Sequence, residues 1–327
     1  MKVKKINTFT LCFLVAAALI FPFFADNYML CIGISVLISA LMGQSWNIMS
    51  GYAGQFSFGH AVFFGIGAYT STTLYTMFGI SPFVGMLAGA LVAALVGIAI
   101  GFLSFRYKLK GDYFALSTLA FAEIFRILVN NTKALNGPAG ILIPYMKDPV
   151  NYQFADDKTF YAVILILVCV ATLFIFVMTR SKLGLNLVAI KENPEAAAAL
   201  GVNVLKHKLI AIGVSSAFAA LAGTFYAQYY GFIDPTIVFE ATISVSAIVP
   251  CIIGGSGTLY GPLIGALIII PMQEICNSVF SASSGVNMIV YGALIVVFIL
   301  FCPEGLYGRI TKLLTKKGDK NGIAQSD

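Results

Sequence analysis

Residues 159–179 read TFYAVILILVCVATLFIFVMT, with no charged side chain among them. A helix rises about 1.5 Å per residue, so this run is long enough to cross a hydrocarbon layer of about 30 Å. Charges bracket it: Asp156, Asp157 and Lys158 before, Arg180 and Lys182 after. Working outward from it, comparable runs fall near 7–24, 28–49, 56–77, 82–104, 113–130, 208–230, 241–254, 262–280 and 286–302. The expectation is an all-α, polytopic membrane helix bundle of about ten transmembrane helices, forming a single domain over 1–327. Composition agrees. Hydrophobic residues make up 59% of the 327, charged residues only 10%, and mean hydropathy is +0.91. A soluble core could not hide that much apolar surface.

Charge placement orients the bundle. If the N-terminus is cytoplasmic, the loops on that side hold Lys2, Lys4 and Lys5, then Arg106, Lys108 and Lys110, then Arg180, Lys182, Lys191, Lys206 and Lys208, then Arg309 and the lysines after it. The other side keeps Lys133, Lys147 and Lys158, offset by Asp148, Asp156 and Asp157. Positive-inside bias therefore puts both termini in the cytoplasm. The net charge of +6 comes without a basic patch interleaved with aromatics, so nucleic acid is not an expected partner. The first run follows a basic start but precedes no convincing small-x-small site before Asp26, and it reads as an uncleaved span rather than a signal peptide.

All six cysteines lie within apolar runs with no CxxC pair, and the only histidines are His60 and His207. Cysteines so placed act as small core hydrophobes, and the ligands for a structural zinc or haem site are missing. No metal, catalytic residue or cofactor on this chain is expected. Gly-x-x-x-Gly spacing at Gly85/Gly89, Gly97/Gly101 and Gly261/Gly265 suits close helix packing. Further glycines interrupt apolar sequence at Gly51, Gly54 and Gly59, and again at Gly254, Gly255, Gly257 and Gly261. One cluster in each half is the pattern of broken helices in a duplicated bundle.

Two connections are long enough to meet other proteins: 131–158 on the external side and 180–207 on the cytoplasmic side. The second contains Asn193-Pro194-Glu195-Ala196-Ala197-Ala198-Ala199-Leu200-Gly201. Asn193 suits an N-cap, Pro194 the first helical position, Glu195 the positive end of the dipole and Gly201 the position after the C-cap. So short a helix is marginal alone and must rest on something, either a partner protein or the bilayer surface.

Glu195, Ala196, Ala197 and Gly201 resemble the Glu-Ala-Ala-x-x-x-Gly core by which permease subunits of ABC importers contact their ATPases. The longer form of that motif ends in Ile-x-Leu-Pro, whereas Ala211-Ile212-Gly213-Val214 stands here, away from the best-known importer subclass. The chain also carries Trp46 to His60 as WNIMSGYAGQFSFGH, Phe63 to Tyr69 as FFGIGAY, Gly111 to Ala115 with Thr118 to Phe121, Gly254 to Pro262 as GGSGTLYGP, and Pro303 to Gly308 as PEGLYG. By these it resembles the permease subunits of branched-chain amino acid importers, the longer of the two that pair. Phe58, where that family usually has Leu, and the variant turn Asn136-Gly137-Pro138-Ala139-Gly140 depart from its pattern. The resemblance implies a multi-pass protein of the bacterial cytoplasmic (inner) membrane. Its partners would be a homologous permease, two ABC ATPase subunits that hold ATP and Mg, an external substrate-binding protein and the lipid bilayer. The solutes would be Leu, Ile, Val or related small amino acids, with urea or short amides as the alternative.

Polar side chains inside the runs leave readings open. Gln44, Asn47, Gly51, Gly54, Gln55, Ser57 and His60 surround the first break, where they either line a translocation pathway or hold the bundle by interhelical hydrogen bonds. Glu123 and Arg126 share a helical face and suit an intramembrane charge pair, although Arg126 could also snorkel or receive a carboxylate. Glu274 belongs on an inward face, in a structural or gating role. No Gly-x-x-x-x-Gly-Lys-Ser/Thr occurs, so ATP hydrolysis falls to other subunits, and neither His-Glu-x-x-His nor Gly-x-Ser-x-Gly marks an intramembrane enzyme. An ion-coupled secondary transporter would have only Glu123, Glu274 and His60 for a relay.

Overall fold

The computed structural model describes residues 18–107, 109, 111–144, 149–280, 285–302 and 305–309. The first part of the expected first run, Lys2, Lys4, Lys5, Lys108, Lys110, Lys147, Asp148, Pro303, Glu304 and the chain from 310 lie outside these residues. A helical segment at 18–24 precedes α1 (Asn27–Trp46), which passes into a π-helical turn, Asn47–Tyr52. The other helices are α2 (His60–Phe78), α3 (Pro82–Arg106), α4 (Asp112–Asn130), α5 (Asp157–Arg180), α6 (Lys182–Glu192), α7 (Pro194–Ala199), α8 (Val204–Tyr230), α9 (Pro235–Val238), α10 (Ala241–Gly254), α11 (Gly261–Val279) and α12 (Val286–Phe301).

Every expected run from 28 onward meets one of these helices. Six described helical segments are long and apolar enough to cross a membrane: Asn27–Tyr52, Pro82–Arg106, Asp157–Arg180, Val204–Tyr230, Pro235–Gly254 and Gly261–Val279. Two boundaries need correction. The second run continues to Tyr52 through the π turn, and the third starts at His60 rather than 56, because residues 53–59 are not helical. Within the connection 180–207, α6, α7 and the first turn of α8 occupy most of the length. Beside the helices stand two strands of two residues, β1 (Ile141–Leu142) and β2 (Phe232–Ile233), paired antiparallel, which leave the all-α class unchanged.

Glycine sets the packing. Along α3, a Cβ on Gly85 would meet Ser71 and one on Gly89 would stand 3.2 Å from the Gly67 Cα of α2, while Gly97 and Gly101 abut Ser216 and Ile212 of α8. Those pairings run in opposite directions along the chain, so α3 is antiparallel to both neighbours. Polar bonds lock the same core. Ser45 Oγ donates to the Ser215 carbonyl and Ser215 Oγ to the Ser45 carbonyl, both at 2.7 Å, and Thr224 Oγ1 donates to the Gly67 carbonyl. Carbonyls bonded this way let two backbones approach without leaving a polar group stranded.

Helix α8, about 40 Å long at 1.5 Å per residue, separates two ends. At its C-terminus lies a cap formed by 131–144 and 149–156, where β1 pairs with β2 and Ser81 Oγ donates to the Val150 carbonyl. At its N-terminus lies the base, where Asn186 of α6 meets His207 at 2.9 Å. The two long connections therefore sit at opposite ends of the bundle.

Candidate functional site at the helix breaks

The base is built from three interruptions of helix. Helix α7 starts at an Asn193 cap whose Oδ1 accepts from the amides of Glu195 (2.9 Å) and Ala196 (3.0 Å), with Pro194 at the first helical position. It stops where Gly201, at φ +86°, takes the left-handed conformation that closes a helix. The Gly201 amide then donates to the Ala198 carbonyl and the Val202 amide to that of Ala197. Of this helix only Ala197 is buried; Ala196, Ala198, Ala199 and Leu200 are exposed, Leu200 by 84%. Helix α6 holds α7 against the bundle. His207 Nδ1 contacts the Asn203 carbonyl at 2.7 Å and must donate to it, which leaves Nε2 to accept from Asn186.

The two glycine breaks, more than two hundred residues apart in sequence, touch each other here. Asn47 donates through Nδ2 to the Thr258 carbonyl at 2.8 Å and accepts through Oδ1 from the Gly257 amide at 2.7 Å. One side-chain amide thus satisfies both polarities of the second break's exposed backbone. Gly51 has no room for a side chain, since a Cβ there would stand 2.6 Å from the Gly257 nitrogen and closer still to Asn47. Lys191, the penultimate residue of α6, donates from Nζ to the Gly51 carbonyl at 2.8 Å.

Parts of two other motif stretches lie close by, while Phe63 to Tyr69 runs along α2 toward Phe239. Gly305 packs on Gly254 and Gly255, and the Tyr307 ring lies 6.0 Å from that of Tyr260. Burial pushes the Tyr307 phenol above its ordinary range, so it stays neutral there. The Phe58 amide donates to Thr118 Oγ1 at 3.1 Å, and Gly59 lies against the Thr118 carbonyl. Trp46 Nε1 donates to the Ser57 carbonyl at 2.8 Å.

The polar side chains of the first break are largely engaged inside the chain. Gln44 Nε2 donates to the Leu259 carbonyl at 2.8 Å, Gln55 Nε2 to that of Ala53 at 3.2 Å, and Ser57 Oγ accepts from the Gly59 amide. His60 is fully buried with Nε2 2.9 Å from Ser215 Oγ. Because Ser215 spends its own proton on Ser45, His60 Nε2 is the donor in that contact. Gly54 lies against Lys191. Glu123 and Arg126 stand apart from the junction, on α4, where Arg126 Nε donates to Glu123 Oε2 at 2.9 Å. Glu274 is half-buried on α11, within electrostatic reach of Tyr230. Sequence reasoning singled out Asn47 and the glycines but not Lys191 or Thr258. Lys191 reads as one more positive-inside lysine, and Thr258 contributes only a backbone carbonyl to Asn47, which no side-chain pattern announces.

Residues 28–299 match the family described as branched-chain amino acid transport system, permease component. The high-affinity branched-chain amino acid transport system permease protein LivM of Salmonella typhimurium is 30% identical, over 90% of this chain and 73% of its own. LivM of Escherichia coli K12 is 29% identical, over 96% and 77%. LivH of Salmonella typhimurium is 25% identical, over 83% and 91%. With a bundle of apolar helices long enough to cross a membrane and two glycine breaks that meet at one end, this chain belongs to the permease components of branched-chain amino acid transport systems and is of the LivM type.

Proposed function

We propose that this chain is one of two membrane subunits of an ATP-driven importer of branched-chain amino acids. In this reading it pairs with a LivH-like permease and is driven by two ABC ATPases that hold ATP and Mg. The observation that carries it is helix α7, a short capped helix with exposed alanines and an 84% exposed Leu200, directly joined through α6 to the contact between the helix breaks. A helix of six residues does not persist for its own sake, and an exposed apolar face at the end of a membrane bundle suits docking into a groove of a soluble protein.

Closure of the ATPases around ATP would push α7, and the bundle would respond by changing which side it opens to. The base would then face the cytoplasm, with about ten spans and both termini on that side, in a bacterial inner membrane. The cap would face outward, where a soluble binding protein delivers the solute. Substrate affinity would rest mainly on that protein.

The test is accumulation of labelled leucine in vesicles holding the whole assembly, with binding protein outside and ATP inside. Uptake should require ATP, and Glu195→Lys or Gly201→Trp should abolish it at matched protein levels. Uptake that follows an ion gradient and ignores both changes would overturn the reading. Competition by urea or acetamide but not by isoleucine or valine would move the substrate to short amides.

A further inference from the structure

We propose that Lys191 is the positioning residue that carries displacement of α7 into the bundle, by clasping both helix breaks at once. The proposal rests on the importer reading above and adds the route by which the push travels. Asn193 alone separates α6 from α7, so a shift of Pro194 reaches Lys191 with little slack.

Lys191 then meets the first break in two ways. Its ammonium donates to the Gly51 carbonyl, at the end of the π turn. There the last carbonyls of a helix lack intrahelical partners and attract cations. Its stem lies flat on Gly54, where a Cβ would stand 2.9 Å from Lys191 Cγ and 3.2 Å from its Cα. The second break meets the same atoms. A Cβ on Gly257 would be 2.9 Å from the Gly51 carbonyl oxygen and 3.4 Å from Lys191 Nζ, and the Gly257 amide is held by Asn47. One ammonium therefore touches the place where both discontinuities meet.

The bond is also of a kind that can be broken and remade. Lys191 is exposed overall, and water can replace the Gly51 carbonyl as acceptor when the two part, so release strands no buried charge. A buried ion pair at the same place would resist separation far more strongly. The breaks supply the movable element, because each ends a helix rather than bending one.

The test compares Lys191→Met, which keeps the stem and loses the donor, with Lys191→Arg, which keeps a donor. Both are placed in the complete assembly with ATPases and binding protein. The readout is leucine moved per ATP hydrolysed, together with stimulation of hydrolysis by loaded binding protein. For Lys191→Met, hydrolysis without binding protein should stay within about twofold, while leucine moved per ATP should fall about tenfold; Lys191→Arg should restore most of it. A ratio for Lys191→Met equal to the unmodified assembly, or a loss that Lys191→Arg shares in full, overturns the proposal. Hydrogen exchange on the unmodified assembly decides independently of whether the variants assemble. Addition of ATP should alter protection in 190–201, 47–57 and 252–260 together, and a change confined to 190–201 would overturn the route. If the unmodified assembly shows no ATP-dependent uptake, the importer reading fails; if uptake needs ATP and only Lys191 proves indifferent, the proposal alone fails.

Discussion

The cap and the base of the bundle are held by different forces. At the cap, Tyr152 is fully buried, with its ring 4.6 Å from Phe83, 5.5 Å from Phe154, 6.1 Å from Phe225 and 6.3 Å from Phe160. Phe225 in turn stacks on Tyr229. Such contacts are collectively strong and only weakly directional, and no single hydrogen bond decides their geometry. The base has aromatic neighbours too, Trp46 with Phe56, Phe56 with Phe58 and Tyr260 with Tyr307, but its two helix breaks are joined to each other by Asn47, Lys191 and glycine backbones at hydrogen-bond distance. Directional bonds between backbones admit a small number of discrete arrangements, whereas an aromatic cluster tolerates adjustment without changing state. On the importer reading, stability and movement are placed at opposite ends: the cap fixes α3, α5 and α8 together, and the base is the part that switches.

The comparison can be broken by variants at either end. The largest expected effect is Tyr152→Ala, which should cost about 3–5 kcal/mol by emptying the centre of the cap cluster. Thermal unfolding of the solubilised assembly should show the loss, while leucine moved per ATP by the surviving protein stays unchanged. A fall in that ratio would mean that the cap also takes part in coupling. Next is Gly51→Ala, whose methyl group would crowd Gly257 and Asn47 at a cost of about 1–3 kcal/mol. Here the ratio should drop by more than the loss of folded protein explains, measured by uptake and hydrolysis on the same vesicles. The smallest is Asn193→Ala, which removes the α7 cap for about 1 kcal/mol. Hydrogen exchange at Glu195 and Ala196 should quicken and uptake should fall modestly, with unfolding temperature unmoved.

Much of the architecture was legible because apolar runs and turn residues act locally. The runs located the helices, and Asn193, Pro194 and Gly201 marked the limits of α7, since capping depends on neighbours within one turn. Local chemistry also explains the missed boundaries. Residues 56–59 are apolar enough to continue a helix, but the Phe58 amide is bonded to Thr118 and the Ser57 carbonyl to Trp46, so tertiary partners overrule the run. The pairing of the two breaks was not legible at all. Asn47 and Gly257 are joined by a contact that no spacing within one helix can signal, and Lys191 differs from the lysines around it only in what lies opposite its amine.

Cys251 sits at that contact as well, fully buried, with Sγ 3.4 Å from Asn47 Oδ1. Its thiol is therefore sealed for as long as the two breaks stay together. A membrane-permeant maleimide should reach it only during the intervals when they separate, which makes this one side chain a native clock for the opening of the base. Its alkylation half-time, read with and without ATP after the other five cysteines, Cys12, Cys31, Cys169, Cys276 and Cys302, are replaced, would time the motion without any reporter having to be built into the chain.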